Sequence, residues 1–254
     1  MDYGIKTMIT LSGNIIKIWL ALFVIVSYGL PYAKNYTYSE IKYGDIFRIS
    51  ELGSVYLPKS YTADKKYPLM VVLHPLGGTD ANFIRNFINE AENRELIVIA
   101  PQAKNIYWDG DRKSPDTKNV KEMVLETKKK FSVDSKKVLL YGFSSGGSFT
   151  HQVVSTNKDK HGDKFITAYC TVSGGAGYTF EYNFIRKDRI PDRFKIPAYF
   201  IWGIKEEPPP GEDVYNFLLK KGWDVTLKVH NGGHFIPDGS ISEVLDWFQN
   251  KCSD

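Results

Sequence analysis

A serine in a glycine-flanked turn is the strongest chemical signal in this chain of 254 residues. Ser144 is the centre of a G-x-S-x-G pattern that runs from Gly142 to Gly146. The short run 137–141 before it is mostly aliphatic, as in a buried strand, and the mostly small or apolar run 145–154 after it is long enough to predict a helix. A serine in such a tight strand–turn–helix connection projects its hydroxyl from the end of the sheet. The pattern therefore predicts that Ser144 is a nucleophile.

A serine nucleophile needs a base, and four histidines follow Ser144 in the chain. The turn resembles the nucleophile elbow of α/β-hydrolases, in which the activating histidine comes after the serine. His234 lies in a Gly-rich loop between a strand-like and a helix-like run, where such a base is expected. His230 ends the strand itself and is the alternative. His151 and His161 lie in the helix after the elbow and in a charged loop, so the sequence favours His234.

An acid that orients the histidine is expected after the strand-like run 198–202. Hydrolases of this type often carry a glycine at that point and an aspartate three residues later. Here Gly203 is followed at that spacing by Glu206. Glu207 and Asp213 are the alternatives, although an acid at a helix N-terminus, as at Asp213, is also expected without any catalytic role. The sequence favours Glu206.

Two backbone N–H groups are expected to hold a developing oxyanion. One is that of Ser145, directly after the nucleophile. The other should come from the loop after an earlier strand, which reads His-Pro-Leu-Gly-Gly from His74 onward. This loop resembles the His-Gly-x-Gly loops of esterases, but Pro75 has no N–H to donate. Leu76 is therefore the favoured donor and Gly77 the second choice, while His74 is expected to pack beneath the loop.

The elbow, the His-Pro-Leu-Gly loop and several flanking segments together resemble one family. These segments are Val55–Pro58, Tyr67–Leu69 and the run Phe131–Val138 that leads into the elbow. The family comprises the secreted esterases grouped with polyhydroxybutyrate depolymerases and feruloyl or acetylxylan esterases, within the α/β-hydrolase superfamily. The resemblance implies a small-molecule or polymer-linked ester as substrate and a reaction that needs no cofactor.

Strand-like and helix-like runs alternate along most of the chain, with helices expected at about residues 80–93 and 119–130, which predicts an α/β fold. We expect the α/β-hydrolase fold, a doubly wound and mostly parallel sheet, with an antiparallel edge formed near residues 47–57. The connection from about residue 174 to residue 195 is too short for a large lid domain. At this length a single catalytic domain over residues 34–254 is expected.

The first 33 residues are expected to be a segment distinct from the catalytic domain. An apolar run at residues 18–26 follows Lys17 and precedes small residues, which is typical of a signal peptide. The chain is therefore expected to be secreted, periplasmic or extracellular. The alternative is attachment to a membrane by an uncleaved anchor at residues 15–30.

Charge, histidine spacing and cysteine content bear on nucleic-acid binding, metal binding and disulfide bonding. A net charge of +4 is too mild to indicate a nucleic-acid partner. No metal-ligand spacing is present, since His230 and His234 flank a Gly-rich loop rather than one helix face. Cys170 is expected to be a buried thiol, with a Cys170–Cys252 disulfide as the alternative.

Aromatic side chains on the loops near the predicted site could line a substrate pocket. Tyr107 and Trp108 follow one strand, and Tyr178 follows another. Aromatic walls suit an acyl or aryl ester, although such residues can equally cover the edge of a sheet. The sequence thus predicts a serine carboxylic-ester hydrolase acting through an acyl-enzyme. A serine peptidase of the prolyl-oligopeptidase type and a catalytically silent exported binding protein are the alternatives.

Overall fold

A computed structural model describes residues 41–111, 113–159, 161–175, 190 and 195–252 of the chain. The N-terminal segment 1–33, its boundary with the catalytic domain and Tyr178 lie outside these described residues. Within the described ranges, no helix combines the length and the apolar character that crossing a membrane requires.

One sheet of eight strands forms the centre of the described chain, in the order β1-β2-β4-β3-β5-β6-β7-β8. Strand β2 pairs antiparallel with β1 and with β4, and all pairs from β4 to β8 are parallel. The predicted mostly parallel sheet with an antiparallel edge is therefore confirmed. The strands are β1 (Ile46–Ile49), β2 (Gly53–Tyr56), β3 (Tyr67–Leu73), β4 (Ile97–Pro101), β5 (Val133–Phe143), β6 (Ala168–Val172), β7 (Ala198–Gly203) and β8 (Val225–His230).

The helices follow the predicted pattern with two differences. The helix expected near residues 80–93 is interrupted by a 3₁₀ turn at Ile84–Phe87, and the helix expected from residue 119 begins earlier, at Pro115. The earlier start has a local cause, because the Ser114 side chain accepts a hydrogen bond from the Asp116 N–H and a proline is favoured in the first turn. The helices are α1 (Asp80–Phe83), α2 (Ile88–Arg94), α3 (Pro115–Lys130), α4 (Ser145–Ser155), α5 (Glu212–Lys220) and α6 (Ser240–Lys251).

Helices cover both faces of the sheet, which is why its central strands are apolar on both sides. In β3, Val71 and Leu73 pack on the face covered by α3, α4 and α5, whereas Met70 and Val72 pack on the face covered by α1, α2 and α6. Cys170 lies in this core as a buried free thiol, as expected. Cys252 is half-buried and also free, so the alternative disulfide is not formed.

The register of the parallel strands brings the functional loops to one edge. Leu73 at the end of β3 pairs with Gly142 in β5, and Gly142 pairs with Thr171 in β6. Gly203 at the end of β7 pairs with His230 at the end of β8. The loops that follow these strands therefore meet at the carboxyl edge of the sheet, where ligands bind in open α/β folds.

Candidate active site

Ser144 occupies the turn between β5 and α4 with φ 56° and ψ −121°. A positive φ is uncommon for a residue other than glycine and marks a strained position. Two backbone bonds fix it there: the Ser144 N–H donates to the Val172 carbonyl at 2.9 Å, and the Ser148 N–H donates to the Ser144 carbonyl at 2.9 Å. The predicted strand–turn–helix elbow is present, and its serine lies at the carboxyl edge of the sheet.

The glycine after the elbow permits close contact between the start of α4 and β3. A Cβ added to Gly146 would lie 2.2 Å from the Leu73 carbonyl oxygen, which no side chain can tolerate without movement of the backbone. The turn that exposes Ser144 is therefore packed directly against the strand that leads into the His74–Gly78 loop.

Replacing Gly146 by Ala is expected to lower the free energy of unfolding by about 3 kcal/mol, because the added methyl group has no space. Urea denaturation of the full chain measures this change. Gly233→Ala is the matched control, since a Cβ at Gly233 meets no atom within 4 Å. A loss of stability at Gly146 no greater than that at Gly233 would contradict the close packing.

Ser144, His234 and Glu206 are linked by two hydrogen bonds. The Ser144 Oγ lies 2.8 Å from the His234 Nε2, and the His234 Nδ1 lies 2.7 Å from the Glu206 Oε1. A carboxylate only accepts, so the Nδ1–H donates to Glu206 and leaves the Nε2 lone pair for the serine hydroxyl. The histidine side chain is 52% exposed and the glutamate 9%, which leaves the histidine within reach of a substrate.

Glu206 is oriented by donors on both of its carboxylate oxygens. Its Oε2 accepts from the Gly203 N–H at 2.8 Å and from the Ser173 hydroxyl at 2.8 Å. Burial favours the neutral acid, but hydrogen bonds from His234, Gly203 and Ser173 outweigh it and hold the pKa of Glu206 below its ordinary value of 4.5. The carboxylate is therefore ionised at neutral pH and can stabilise a positive charge on His234.

The alternative residues from the sequence occupy other positions. Glu207 is exposed, and Asp213 lies in the first turn of α5. His151 is fully buried in α4, and the His230 ring packs against Phe235 at a centroid distance of 4.8 Å. Of the candidate acids and bases, the structure brings Glu206 and His234 to Ser144.

Ser173 belongs to this hydrogen-bonded group, although no sequence motif marks it. It directly follows β6, is 3% exposed and has φ 50°. Its only sequence signal is its position at the carboxyl end of the strand beside β7. The strained backbone directs its hydroxyl to Glu206.

Replacing Ser173 by Ala is expected to lower the kcat of the ester hydrolysis predicted from the sequence about 10-fold, because Glu206 loses one of the donors that orient it. The backbone strain is unchanged by this substitution, so the fold should persist. Steady-state kinetics with a p-nitrophenyl ester measure the change. Ser155→Ala provides a control, since Ser155 is also buried but its hydroxyl donates to Gln152 within α4. Equal losses in the two variants would contradict the role of Ser173.

The two predicted oxyanion donors lie beside the serine. The Ser145 N–H is in the first turn of α4, where it has no acceptor within the helix. In the part of the chain that the structure describes, no acceptor is found for the Leu76 N–H, whereas the Gly77 N–H donates to the Ile106 carbonyl at 2.7 Å. Leu76 is therefore the better placed of the two candidates in this loop.

A cavity of about 270 Å³ opens beside Ser144. Its wall combines hydroxyl groups, the two glutamates and an apolar part formed by a leucine and prolines. No group of three metal-ligating side chains occurs among the described residues. Among the described residues, those that line it are Leu76, Ser144, Ser145, Ser148, Ser173, Glu206, Glu207, Pro208, Pro210 and His234.

The predicted aromatic wall is not formed by Trp108. This side chain is 3% exposed and stacks on Phe149 of α4 at a centroid distance of 4.9 Å. Its indole N–H donates to the His74 carbonyl at 2.8 Å. Tyr107 is half-buried and is not part of the cavity wall described above. Trp108 supports the loop that carries Leu76 rather than contacting the cavity.

Known protein-family models do not match this chain. Among curated proteins, it is 29% identical over 125 residues to a bifunctional acetylxylan esterase/xylanase of Neocallimastix patriciarum, a match that covers 47% of this chain and 17% of that protein. It is 30% identical over 116 residues to feruloyl esterase B of Thermothelomyces thermophilus, covering 41% of this chain and 39% of that protein. The matched region thus spans well under half the length of either relative.

Solved structures resemble a larger part of the chain. An esterase from Rhizomucor miehei superposes with a TM-score of 0.60 at 11% identity, covering 79% of both chains. An acylaminoacyl peptidase of Pyrococcus horikoshii superposes with a TM-score of 0.57 at 14% identity, covering 78% of this chain and 39% of that one. These similarities and the strand order confirm the predicted α/β-hydrolase fold.

Proposed function

We propose that this chain, which has the α/β-hydrolase fold, is a serine carboxylic-ester hydrolase that acts through an acyl-enzyme. The observation that carries the proposal is the continuous hydrogen-bonded series from Ser144 through His234 to Glu206, with distances of 2.8 and 2.7 Å. These are the distances that a nucleophile, its base and an orienting acid need.

In the proposed mechanism the Ser144 Oγ attacks the ester carbonyl carbon while the His234 Nε2 takes the hydroxyl proton. Glu206, ionised because its pKa is lowered, stabilises the resulting imidazolium. His234 then gives the proton to the departing alkoxide, and the alcohol leaves an acyl group on Ser144. Water attacks this acyl-enzyme while His234 takes its proton, and His234 then returns the proton to the Ser144 Oγ as the Oγ–acyl bond breaks and the carboxylic acid leaves.

The tetrahedral intermediates carry a negative oxygen, which we assign to the Leu76 and Ser145 N–H groups. Both residues line the cavity beside Ser144. Each fixed donor of this kind is worth about 3 kcal/mol of transition-state stabilisation. The N-terminus of α4 adds a favourable dipole at the same place.

The proposed substrates are esters whose acyl group is acetyl or aromatic, either as small molecules or linked to a polymer. The names of the two curated relatives, an acetylxylan esterase and a feruloyl esterase, support this choice. The mixed apolar and hydroxyl-lined cavity is compatible with an uncharged acyl group. Secretion, suggested by the apolar N-terminal run, is proposed together with this activity.

Turnover of p-nitrophenyl esters of increasing acyl length by the full chain tests the proposal. We expect ester hydrolysis with a preference for short acyl groups, since the cavity is small. The matching p-nitroanilides distinguish the classes of hydrolase. Faster anilide than ester cleavage would favour the peptidase alternative, and no turnover of either series by folded protein would contradict the hydrolase proposal.

A further inference from the structure

The loop that carries the Leu76 N–H is fixed at both ends by one neighbouring segment. The Trp108 indole N–H donates to the His74 carbonyl at 2.8 Å, and the Gly77 N–H donates to the Ile106 carbonyl at 2.7 Å. The Gly78 N–H closes a turn onto the Pro75 carbonyl at 2.9 Å. Gly77 has φ 69° in this turn, a conformation for which glycine is preferred.

The buried His74 ring has a defined tautomer. Its Nε2 accepts from the Ala103 backbone N–H at 3.2 Å and also lies 3.3 Å from the Gln102 side-chain nitrogen, so it carries a lone pair. Its Nδ1 lies 2.8 Å from the Pro75 carbonyl oxygen, which can only accept. The ring is therefore neutral, with the proton on Nδ1.

The acceptor of that proton belongs to the same peptide unit as the proposed oxyanion donor. The Pro75 carbonyl and the Leu76 N–H are the two ends of one planar peptide. The peptide is trans, since the single cis bond among the described residues joins Glu207 and Pro208. In a trans peptide the carbonyl and the N–H point in opposite directions. A donor that holds the Pro75 oxygen inward thus turns the Leu76 N–H outward.

We propose that His74 is a positioning residue for the oxyanion hole: together with the Gly78 N–H, its Nδ1–H fixes the rotation of the Pro75–Leu76 peptide and so directs the Leu76 N–H toward the reacting oxygen. This inference rests on the ester-hydrolase function proposed above. Leu76 lines the cavity next to Ser144, as the orientation requires.

The surroundings of His74 keep it in the form that this role needs. The residue is 1% exposed, and its ring packs on Trp108 at a centroid distance of 4.8 Å. Burial lowers the pKa of His74, which favours the neutral ring that can both donate and accept. Trp108 also stacks on Phe149 of α4, so the oxyanion loop and the helix of the nucleophile are packed against the same indole.

Two amide substitutions separate the two ring nitrogens. In His74→Asn, the side-chain amide lies near the former Nδ1 and can still donate to the Pro75 carbonyl. In His74→Gln, the amide reaches the former Nε2 and can still accept from Ala103, but the side-chain donor to the Pro75 carbonyl is lost and only the Gly78 N–H remains on that oxygen. We expect the Gln variant to lose about 10- to 100-fold in kcat with little change in KM, and the Asn variant to retain most of the kcat.

The kinetics are measured with p-nitrophenyl acetate on the full chain, with thermal denaturation of each variant beside them. Equal kcat losses, or a larger loss in the Asn variant, would show that His74 only packs the loop. Should neither variant fold, nitrogen NMR of the wild-type histidines decides: a proton on the His74 Nε2 would overturn the proposal, and one on Nδ1 supports it. A wild-type chain without esterase activity would instead contradict the proposed function.

Discussion

Replacing Ser144 by Ala is expected to lower kcat for ester hydrolysis on the order of 10⁶-fold. The substitution removes the oxygen that attacks the carbonyl, and neither His234 nor Glu206 offers an equivalent nucleophile in the cavity. A small residual rate should remain, because the Leu76 and Ser145 N–H groups still bind the carbonyl oxygen. Turnover of p-nitrophenyl acetate by the full chain measures the loss.

The substitution should leave the fold intact, which makes the kinetic result interpretable. Alanine at φ 56° is strained about as much as serine, so the cost of the turn is unchanged. Ser148→Ala is the matched control, since Ser148 lines the same cavity but its hydroxyl accepts from the Gly175 N–H. We expect less than a 10-fold loss there. Turnover by Ser144→Ala at the wild-type rate would assign the chemistry to another residue.

The sequence was sufficient to predict the sheet, because the patterns that indicate strands lie within short runs of neighbouring residues. Short aliphatic runs separated by amphipathic ones predicted the central strands and helices, and the glycines around Ser144 predicted the elbow. The interruption between α1 and α2 was not predicted, since the residues there have no proline or glycine to mark it. Tertiary packing of Phe83, Ile84 and Phe87 into one core cluster accompanies the change of helix type.

The acid next to His234 was harder to choose for a physical reason. Glu206 and Glu207 are adjacent in sequence and equal in chemistry, so no local pattern separates them. Their difference arises from β6 and β7, whose ends supply the Ser173 hydroxyl and the Gly203 N–H to Glu206. Contacts between residues 33 positions apart are not visible in a single sequence.

The prediction that Trp108 lines the pocket was wrong for a different reason. An aromatic residue on a loop near the site suggested a pocket wall, but the same side chain can bury itself if its N–H finds an acceptor. The His74 carbonyl, on a different loop, provides that acceptor. Trp108 still contributes to the proposed site, because it holds the loop whose Leu76 N–H we assign to the oxyanion hole.

Replacing Glu206 by Gln is expected to lower kcat by about 10⁴-fold. The amide is expected to sit in one orientation, because the Gly203 N–H can only donate and therefore needs the amide oxygen, to which the Ser173 hydroxyl can also still donate. The amide NH₂ must then face the His234 Nδ1, which becomes an acceptor. The proton moves to the His234 Nε2, and the histidine can no longer take the proton of Ser144.

Glu207→Gln is the control for this prediction. Glu207 lines the same cavity and undergoes the same loss of charge, but His234 contacts Glu206 instead. We expect a loss of less than 10-fold for Glu207→Gln, since only the electrostatic field of the cavity changes. Steady-state kinetics on p-nitrophenyl acetate, with both variants compared at neutral pH, measure the difference. A charge effect alone cannot distinguish two adjacent carboxylates by three orders of magnitude, so a difference of that size would support the Glu206–His234 hydrogen bond. Equal losses, or a larger loss at Glu207, would mean that this hydrogen bond is not the one used in catalysis.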